Sequence, residues 1–206
     1  MESPEIDGLK QLRTGNIMLV LASILVALGY SATLSIFSLA PYRNVTQGYV
    51  SQALAYVLAI AVGGAVMVQV TMLKMMRGFG DLKLVFPKFG IGRKGSILIF
   101  IASWFLVISI PLLFSHYICP YYICLTMPAI IEMLASLIYF IGSIMLAIGF
   151  YRIGNVYNSG LVKVGGILLI FLPFIGAILN VIGLHNAIKR PQQGKFVYYP
   201  QGSIYQ

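Results

Sequence analysis

The sequence feature that most constrains this chain is a pair of similar glycine-containing apolar segments in its C-terminal third. IGSIMLAIGF at Ile141–Phe150 closely matches IGAILNVIGL at Ile175–Leu184, and a polar connection follows the first copy. The glycines of each copy stand seven residues, or two helical turns, apart and therefore share one helix face. Such faces allow close helix contact in lipid. We predict an antiparallel hairpin of two membrane helices packed through four glycines: Gly142, Gly149, Gly176 and Gly183.

The overall composition predicts an all-α fold of the polytopic membrane class, organised as one domain. Of the 206 residues, 59% are hydrophobic and only 9% are charged, whereas soluble domains carry about 25% charged residues. Apolar stretches close to the roughly 20 residues of a membrane-crossing helix recur along the chain. A soluble protein with a large apolar core is the weaker interpretation, because so little of the chain is suited to face water.

The apolar stretches predict a five-helix transmembrane domain over residues 16–184, between a polar cytoplasmic segment at 1–15 and a flexible polar tail at 185–206. The first stretch is too long for the apolar region of a signal peptide, so we expect it to be retained. The predicted spans are 16–40, 50–73, 96–114, 129–150 and 164–184.

One predicted loop, residues 74–95, concentrates positive charge between two spans. Its only acid is Asp81, and Pro87 together with several glycines argues against a continuous helix. The cations could simply fix orientation, or the loop could bind lipid or a partner while Phe79, Phe86 and Phe89 insert into the membrane interface. We predict lipid headgroup contacts for six cations: Lys74, Arg77, Lys83, Lys88, Arg93 and Lys94.

The distribution of charge predicts an orientation in the cell membrane. With five spans, one side carries ten Lys and Arg residues and the other carries four, which places the N-terminus in the cytoplasm and the C-terminus outside. The sequon Asn44-Val45-Thr46 then lies outside, where Asn44 could be glycosylated. The net charge of +9 is better matched by anionic lipid than by nucleic acid in such a chain.

The two cysteines, Cys119 and Cys124, also lie outside in this arrangement. There they could form a disulfide or remain free thiols. Together with His116 and His185 they could instead ligate a metal, although the spacing matches no familiar metal motif.

The search for catalytic chemistry yields no constellation, so we expect neither an enzyme nor a cofactor. Glu132 is the only acid within a span, and it could stabilise a helix start or form an ion site. Gln69 and Asn180 are the other conspicuous polar residues of the spans. Convergence of these three residues on one cavity would favour transport, and their dispersal into helix contacts would favour a scaffold.

The stretches GLKQLRTGN at Gly8–Asn16, FYRIGNVYNSGLVKVGGIL from Phe150, and FIGAILNVIGL from Phe174 resemble an archaeal membrane-protein family known as domain-of-unknown-function family 973. The resemblance implies a multi-pass topology and supplies no catalytic residues. We expect a non-enzymatic scaffold or accessory subunit of a membrane assembly, or alternatively a small oligomeric transporter or channel. Its expected partners are membrane lipids and either further copies of itself or another membrane protein.

Overall fold

The computed structural model describes residues 3–39, 47–115 and 122–189, and this part of the chain is all-helical. Four long helices are followed by two short ones, and a 3₁₀ turn at Pro87–Phe89 separates the second helix from the third. The helices are α1 (Pro4–Leu39), α2 (Gln47–Val85), α3 (Gly90–Ser115), α4 (Tyr122–Val156), α5 (Gly160–Phe171) and α6 (Pro173–Lys189).

The four long helices form two antiparallel pairs that meet through glycines. In the first pair, a Cβ on Gly8 of α1 would lie 2.9 Å from the carbonyl oxygen of Gly78 in α2. In the second pair, a Cβ on Gly95 of α3 would lie 2.5 Å from the amide nitrogen of Leu146 in α4. Because no side chain separates these backbones, helix α1 packs tightly on α2, and α3 packs tightly on α4.

The segment predicted as a single fifth span is instead a helical hairpin, and this corrects the prediction for residues 164–184. Leu172 leaves the helical region with φ −133° and ψ 72°, as is typical of a residue before proline. Helix α6 then returns along α5, and a Cβ on Gly165 would lie 2.9 Å from the carbonyl oxygen of Gly176. With 12 and 17 residues, the two helices are about 18 and 25 Å long.

The four predicted packing glycines are buried at helix contacts, but not all at the contact that we predicted. A Cβ on Gly149 would lie 2.7 Å from the Cα of Gly92, so this face of α4 meets α3 rather than the last helix. Gly142 likewise meets α3, whereas Gly176 and Gly183 meet α5. The expected hairpin of α4 with the last helix is therefore wrong, because α5 turns back between them.

Helix α5 follows α4 through a short turn with a positive backbone dihedral. Asn158 has φ 48°, and Ser159 N–H donates to the carbonyl of Gly154 at 2.8 Å. This pattern closes the C-terminus of α4, and asparagine tolerates the left-handed region better than most residues. The turn brings α5 back along α4, where a Cβ on Gly166 would lie 3.1 Å from the Ala147 carbonyl oxygen.

These contacts bring six helix ends together at one end of the bundle: the starts of α1, α3 and α5 and the ends of α2, α4 and α6. Arg13 of α1 lies 3.2 Å from His185 of α6, and Phe79 of α2 contacts Phe150 of α4 with ring centroids 5.3 Å apart. The last described residue therefore lies at the same end as the first. Five crossings would put these two residues at opposite ends, so the described part of the fold does not match the predicted five-crossing arrangement.

The bundle has two halves of different construction. We call residues 3–19, 71–99 and 142–189 the basic half, because all eleven Lys and Arg residues of the described chain lie there. The remainder, residues 20–39, 47–70, 100–115 and 122–141, is the apolar half, and its described residues contain no Lys or Arg.

The predicted loop at 74–95 is largely helical, which corrects the sequence interpretation. Helix α2 continues to Val85, and its Gly78 is retained within the helix where it packs on α1. Phe79 and Phe89 are fully buried in the protein core and Phe86 packs against it, so the expected membrane insertion of these rings is wrong. The interruption that Pro87 predicted is present as the 3₁₀ turn.

Two segments of the described chain are long and apolar enough, by length and composition, to cross a membrane. They are Pro4–Leu28 and Ile130–Val156, with mean hydropathies of 1.6 and 2.1. Both lie within helices that exceed the roughly 20 residues needed for a crossing. These helices are an indication that the chain associates with a membrane.

Candidate functional site

The densest cluster of charge in the described chain lines a surface groove of about 520 Å³ at the basic end of the bundle. The 3₁₀ turn, the first residues of α3 and the last turns of α4 form its walls. Four of the six cations predicted to contact lipid lie there, namely Lys83, Lys88, Arg93 and Lys94, and Arg152 of α4 joins them. Its apolar part is formed by Pro87, Ile91, Ile97 and Met145.

Two contacts position cations of this groove. Arg152 donates from Nη1 to the carbonyl oxygen of Lys88 at 2.7 Å, which fixes the end of α4 against the 3₁₀ turn. The Lys83 side chain lies across Gly90, where a Cβ would be 3.4 Å from its Cδ. The Lys83 stem therefore lies beside the start of α3.

A neighbouring groove of about 430 Å³ adjoins the first and shares Arg93 with it. It is lined by Arg77, Asp81 and Arg93 together with apolar residues of α2. Because a carboxylate shares this groove with the two arginines, it is less positive than the first. Lys74, the remaining predicted lipid contact, lines neither groove.

A second polar site joins the start of α1 to the turn after α4. The Tyr157 hydroxyl donates to Oε1 of Glu5 at 2.6 Å, and Glu5 is only 7% exposed. Burial raises the pKa of Tyr157 well above its usual value, and the hydrogen bond and negative charge of Glu5 raise it further. The phenol therefore remains a protonated donor to the carboxylate.

A third polar cluster lies between α1, α2 and α6. Asn180 donates from Nδ2 to Oδ1 of Asn16 over a long 3.4 Å, and Asn16 donates to the Leu12 carbonyl at 2.8 Å. Both asparagines and Thr71 are fully buried. In the described structure, Asn180 Oδ1 and Thr71 Oγ1 have no hydrogen-bond partner.

The three polar residues considered for transport differ in their surroundings. Asn180 is committed to the contact with α1, and Gln69 is half-buried on α2. Glu132 is half-buried on α4, ten residues or about 15 Å before the Gly142 contact. Glu132 thus lies in the apolar half, whereas Asn180 lies in the basic half.

Several predicted sites fall outside the described structure. Asn44, His116 and Cys119 lie in undescribed segments, and the side chain of Cys124 is also outside the description. The alternatives of a disulfide, free thiols and a metal site therefore stay predictions. Among the described residues, no group of three His, Cys, Asp or Glu side chains could hold a metal.

Sequence reasoning missed several residues of these sites, among them Arg152, Asn16 and Tyr157. Arg152 follows the fourth predicted span directly, so it belongs to the same charged boundary as the loop cations. Asn16 is the first residue of the first predicted span, and a polar residue next to an apolar stretch could have indicated a polar contact between helices. Tyr157 carried no such signal, because its pairing with Glu5 joins residues 152 positions apart.

A model of the family described as "Protein of unknown function (DUF973)" matches residues 5–205. The match covers nearly the whole chain, which therefore belongs to this family, as the resemblance indicated. No curated protein and no solved structure matches the chain.

Proposed function

We propose that this member of the DUF973 family is a multi-pass integral membrane protein that serves, without catalytic activity, as a scaffold or accessory subunit of a membrane assembly. The proposal has three parts: the number of crossings, their orientation, and the role of the bundle.

The observation that carries the membrane part is the size of the buried side chains in the apolar half. Its described buried residues are all small, namely Gly64, Ala102, Ser103, Ala135 and Ala22. Large apolar side chains point outward instead, such as Met133, which is 68% exposed. Lipid provides no hydrophobic drive to bury large side chains, and small residues allow helices to pack closely. This inverted arrangement is what a lipid-facing bundle requires.

The geometry supports four crossings rather than the five expected from hydropathy. Helices α1 to α4 contain 26 to 39 residues, enough for a hydrocarbon core of about 30 Å. Helices α5 and α6 are each too short to cross it. We propose that they enter and leave from the same side as a re-entrant hairpin, with the exposed apolar tip at Phe171 and Leu172 in the bilayer.

We further propose that the basic end faces the cytoplasm. Because α6 returns to this end, all eleven described cations lie on one side, and the positive-inside rule places that side in the cytoplasm. Both termini are then cytoplasmic, and Arg43 is the only cation of the sequence that remains on the outer side.

Cysteine labelling tests this topology in a background in which Cys119 and Cys124 are replaced by serine. Gly80→Cys at the basic end and Asn186→Cys near the end of α6 should both resist an impermeant thiol reagent in intact cells. Asn44→Cys between α1 and α2 should be labelled, and all three should react after permeabilisation. Labelling of Asn186→Cys but not of Gly80→Cys in intact cells would contradict four crossings and support the five expected from hydropathy.

The scaffold role is supported by how the chain uses its polar groups. Asn16 and Asn180 join α1 to α6, Glu5 and Tyr157 join α1 to the α4–α5 turn, and Arg152 secures the 3₁₀ turn. Each of these groups is engaged in holding helices together. Native mass spectrometry of the chain in mild detergent should reveal a stoichiometric complex, with further copies or with another membrane protein. Recovery as a lone monomer that retains its lipids would contradict the scaffold role.

The alternative function is a small oligomeric transporter or channel, and the two buried oxygens without partners favour it. Asn180 Oδ1 and Thr71 Oγ1 lie inside the bundle, where an unpaired polar atom costs about 1–3 kcal/mol. A bound solute or water would relieve that cost. Ion or solute flux in liposomes that is abolished in the Asn180→Leu variant would support transport over the scaffold role.

A further inference from the structure

We propose that the groove formed by the 3₁₀ turn, the start of α3 and the end of α4 binds a phospholipid whose headgroup carries at least two negative charges. The inference rests on the proposed function, because the groove meets lipid only if the bundle spans a membrane. It adds a specific ligand class to that function.

The charge of the groove favours a multiply charged anion. Its lining includes five cations and no carboxylate, and Asp81 lines the neighbouring groove instead. Cations from α2, the 3₁₀ turn, α3 and α4 surround the same space, so a single phosphate would leave much of the positive charge unpaired. A headgroup with two phosphates matches the groove better.

Contacts within the protein place two of the cations at the groove before any ligand binds. Arg152 donates one N–H to the carbonyl oxygen of Lys88 at 2.7 Å. Because a guanidinium has five N–H donors, the others can bind phosphate. The aliphatic stem of Lys83 lies close to Gly90, so this cation stands beside the start of α3. The bond of Arg152 restricts its side chain before any ligand binds, which lowers the entropy cost of binding.

The apolar part of the groove shows why the ligand is a lipid rather than a free anion. Ile97 of α3 and Met145 of α4 line the groove beside the cations. One turn further into the apolar half, Ile101 and Ile141 are 41% and 45% exposed on the same two helices. An acyl chain attached to a bound headgroup can therefore continue along α3 and α4. Free phosphate would use the cations but not this apolar path.

Lipid binding to the full-length chain in nanodiscs tests the proposal. The probe is fluorescent cardiolipin, which carries two phosphates, at low abundance in neutral phosphatidylcholine. Replacing three groove cations together, in Lys83→Gln/Arg93→Gln/Lys94→Gln, should weaken binding by about tenfold or more, since each cation near an anionic surface contributes and salt screens only part of it.

The matched control removes the same number of charges outside the groove, in Lys74→Gln/Arg77→Gln/Lys189→Gln. It should weaken binding less than about threefold, because these cations contribute only to the general surface potential. Equal losses in the two triple variants would overturn the proposal in favour of unspecific attraction. Displacement of the probe by equimolar inorganic pyrophosphate would also overturn it, because the acyl chain would then contribute nothing.

Two further measurements separate the possible causes of a negative result. The groove variant should keep the wild-type melting temperature, which excludes misfolding. The charge-conserving variant Lys83→Arg/Arg93→Lys/Lys94→Arg should keep most of the wild-type binding, because the positive charge of the groove is retained. Extraction of the wild-type chain from cell membranes by alkaline carbonate would contradict the proposed function itself. Retention in the membrane without a difference between the triple variants would overturn the groove alone.

Discussion

In the basic half of the bundle the buried side chains are large, whereas in the apolar half they are small. Phe79, Phe89 and Phe150 are fully buried in the basic half, as in the core of a soluble protein. In the apolar half Ala102 and Ala135 are buried, while large aliphatic side chains face outward. Burying large apolar groups is favourable only where water is the alternative. In the membrane topology that we propose, the contrast marks the end of the bundle whose outer surface is surrounded most completely by lipid.

The largest effect is expected from removing a large side chain in the basic half. Phe79→Ala deletes a ring that contacts Phe150 and the glycine faces of α3 and α4, and it should lower the free energy of unfolding by about 3–5 kcal/mol. Phe140→Ala in the apolar half should cost under about 1 kcal/mol, because this ring is 51% exposed and lipid or detergent can fill its place. Unfolding in mixed micelles measures both, and equal losses would remove the distinction between the halves.

The next effect concerns backbone contacts of the basic half. In Gly95→Ala the new methyl group would lie 2.5 Å from the amide nitrogen of Leu146, and in Gly176→Ala it would lie 2.6 Å from that of Leu169. Neither backbone can move without separating two helices, so each variant should lose about 1–3 kcal/mol. Wild-type stability of Gly176→Ala in the same unfolding assay would mean that α5 and α6 do not form a close hairpin.

The hairpin also shows what could be learned from the sequence and what could not. The all-helical class, the interruption at Pro87 and the helical contacts of the spaced glycines follow from composition and local pattern. The partners of those glycines do not, because Gly142 could pack equally well on any small residue of another helix. Residues 164–184 satisfied a length test for a span, yet Pro173 with glycines on both sides produced two helices.

Of the residues that line the first groove, only cations were predicted from the sequence. Four of these cations lie close together in the sequence, so counting charges along the chain was enough to identify them: Lys83, Lys88, Arg93 and Lys94. Arg152 is 64 positions from its partner Lys88, and only the antiparallel packing of α3 and α4 brings it there. The sequence analysis placed Phe79, Phe86 and Phe89 in the membrane interface. Their burial depends on contacts with α1 and α4, and the local sequence pattern does not reveal those contacts.

An effect of similar size, but dependent on pH, tests whether the bond between Tyr157 and Glu5 stabilises the basic end. Loss of its bond to the buried Glu5 in Tyr157→Phe should cost about 1.5–3 kcal/mol at neutral pH, whereas the exposed Tyr151→Phe should cost little. The pKa of Tyr157 is raised in the folded state, so its contribution is complete below about pH 10 and falls as pH rises further, because the unfolded phenol ionises first. Unfolding at pH 7 and 10.5 should show the wild type losing part of its advantage over Tyr157→Phe, by a little under about 1 kcal/mol.

The smallest effect uses two glycines of α2 that have open space around them, one in each half. A Cβ on Gly63 or on Gly80 would meet nothing within 4 Å, so alanine fits at both positions without a clash. At Gly80, in the basic half, unfolding exposes backbone to water, and Gly80→Ala should stabilise the protein by about 0.5–1 kcal/mol. At Gly63 the segment would stay helical within lipid even in the unfolded state, because its backbone groups can be satisfied only internally. Gly63→Ala should therefore change the free energy of unfolding by only a few tenths of a kcal/mol, and an equal gain at both positions would mean that α2 meets water in both halves.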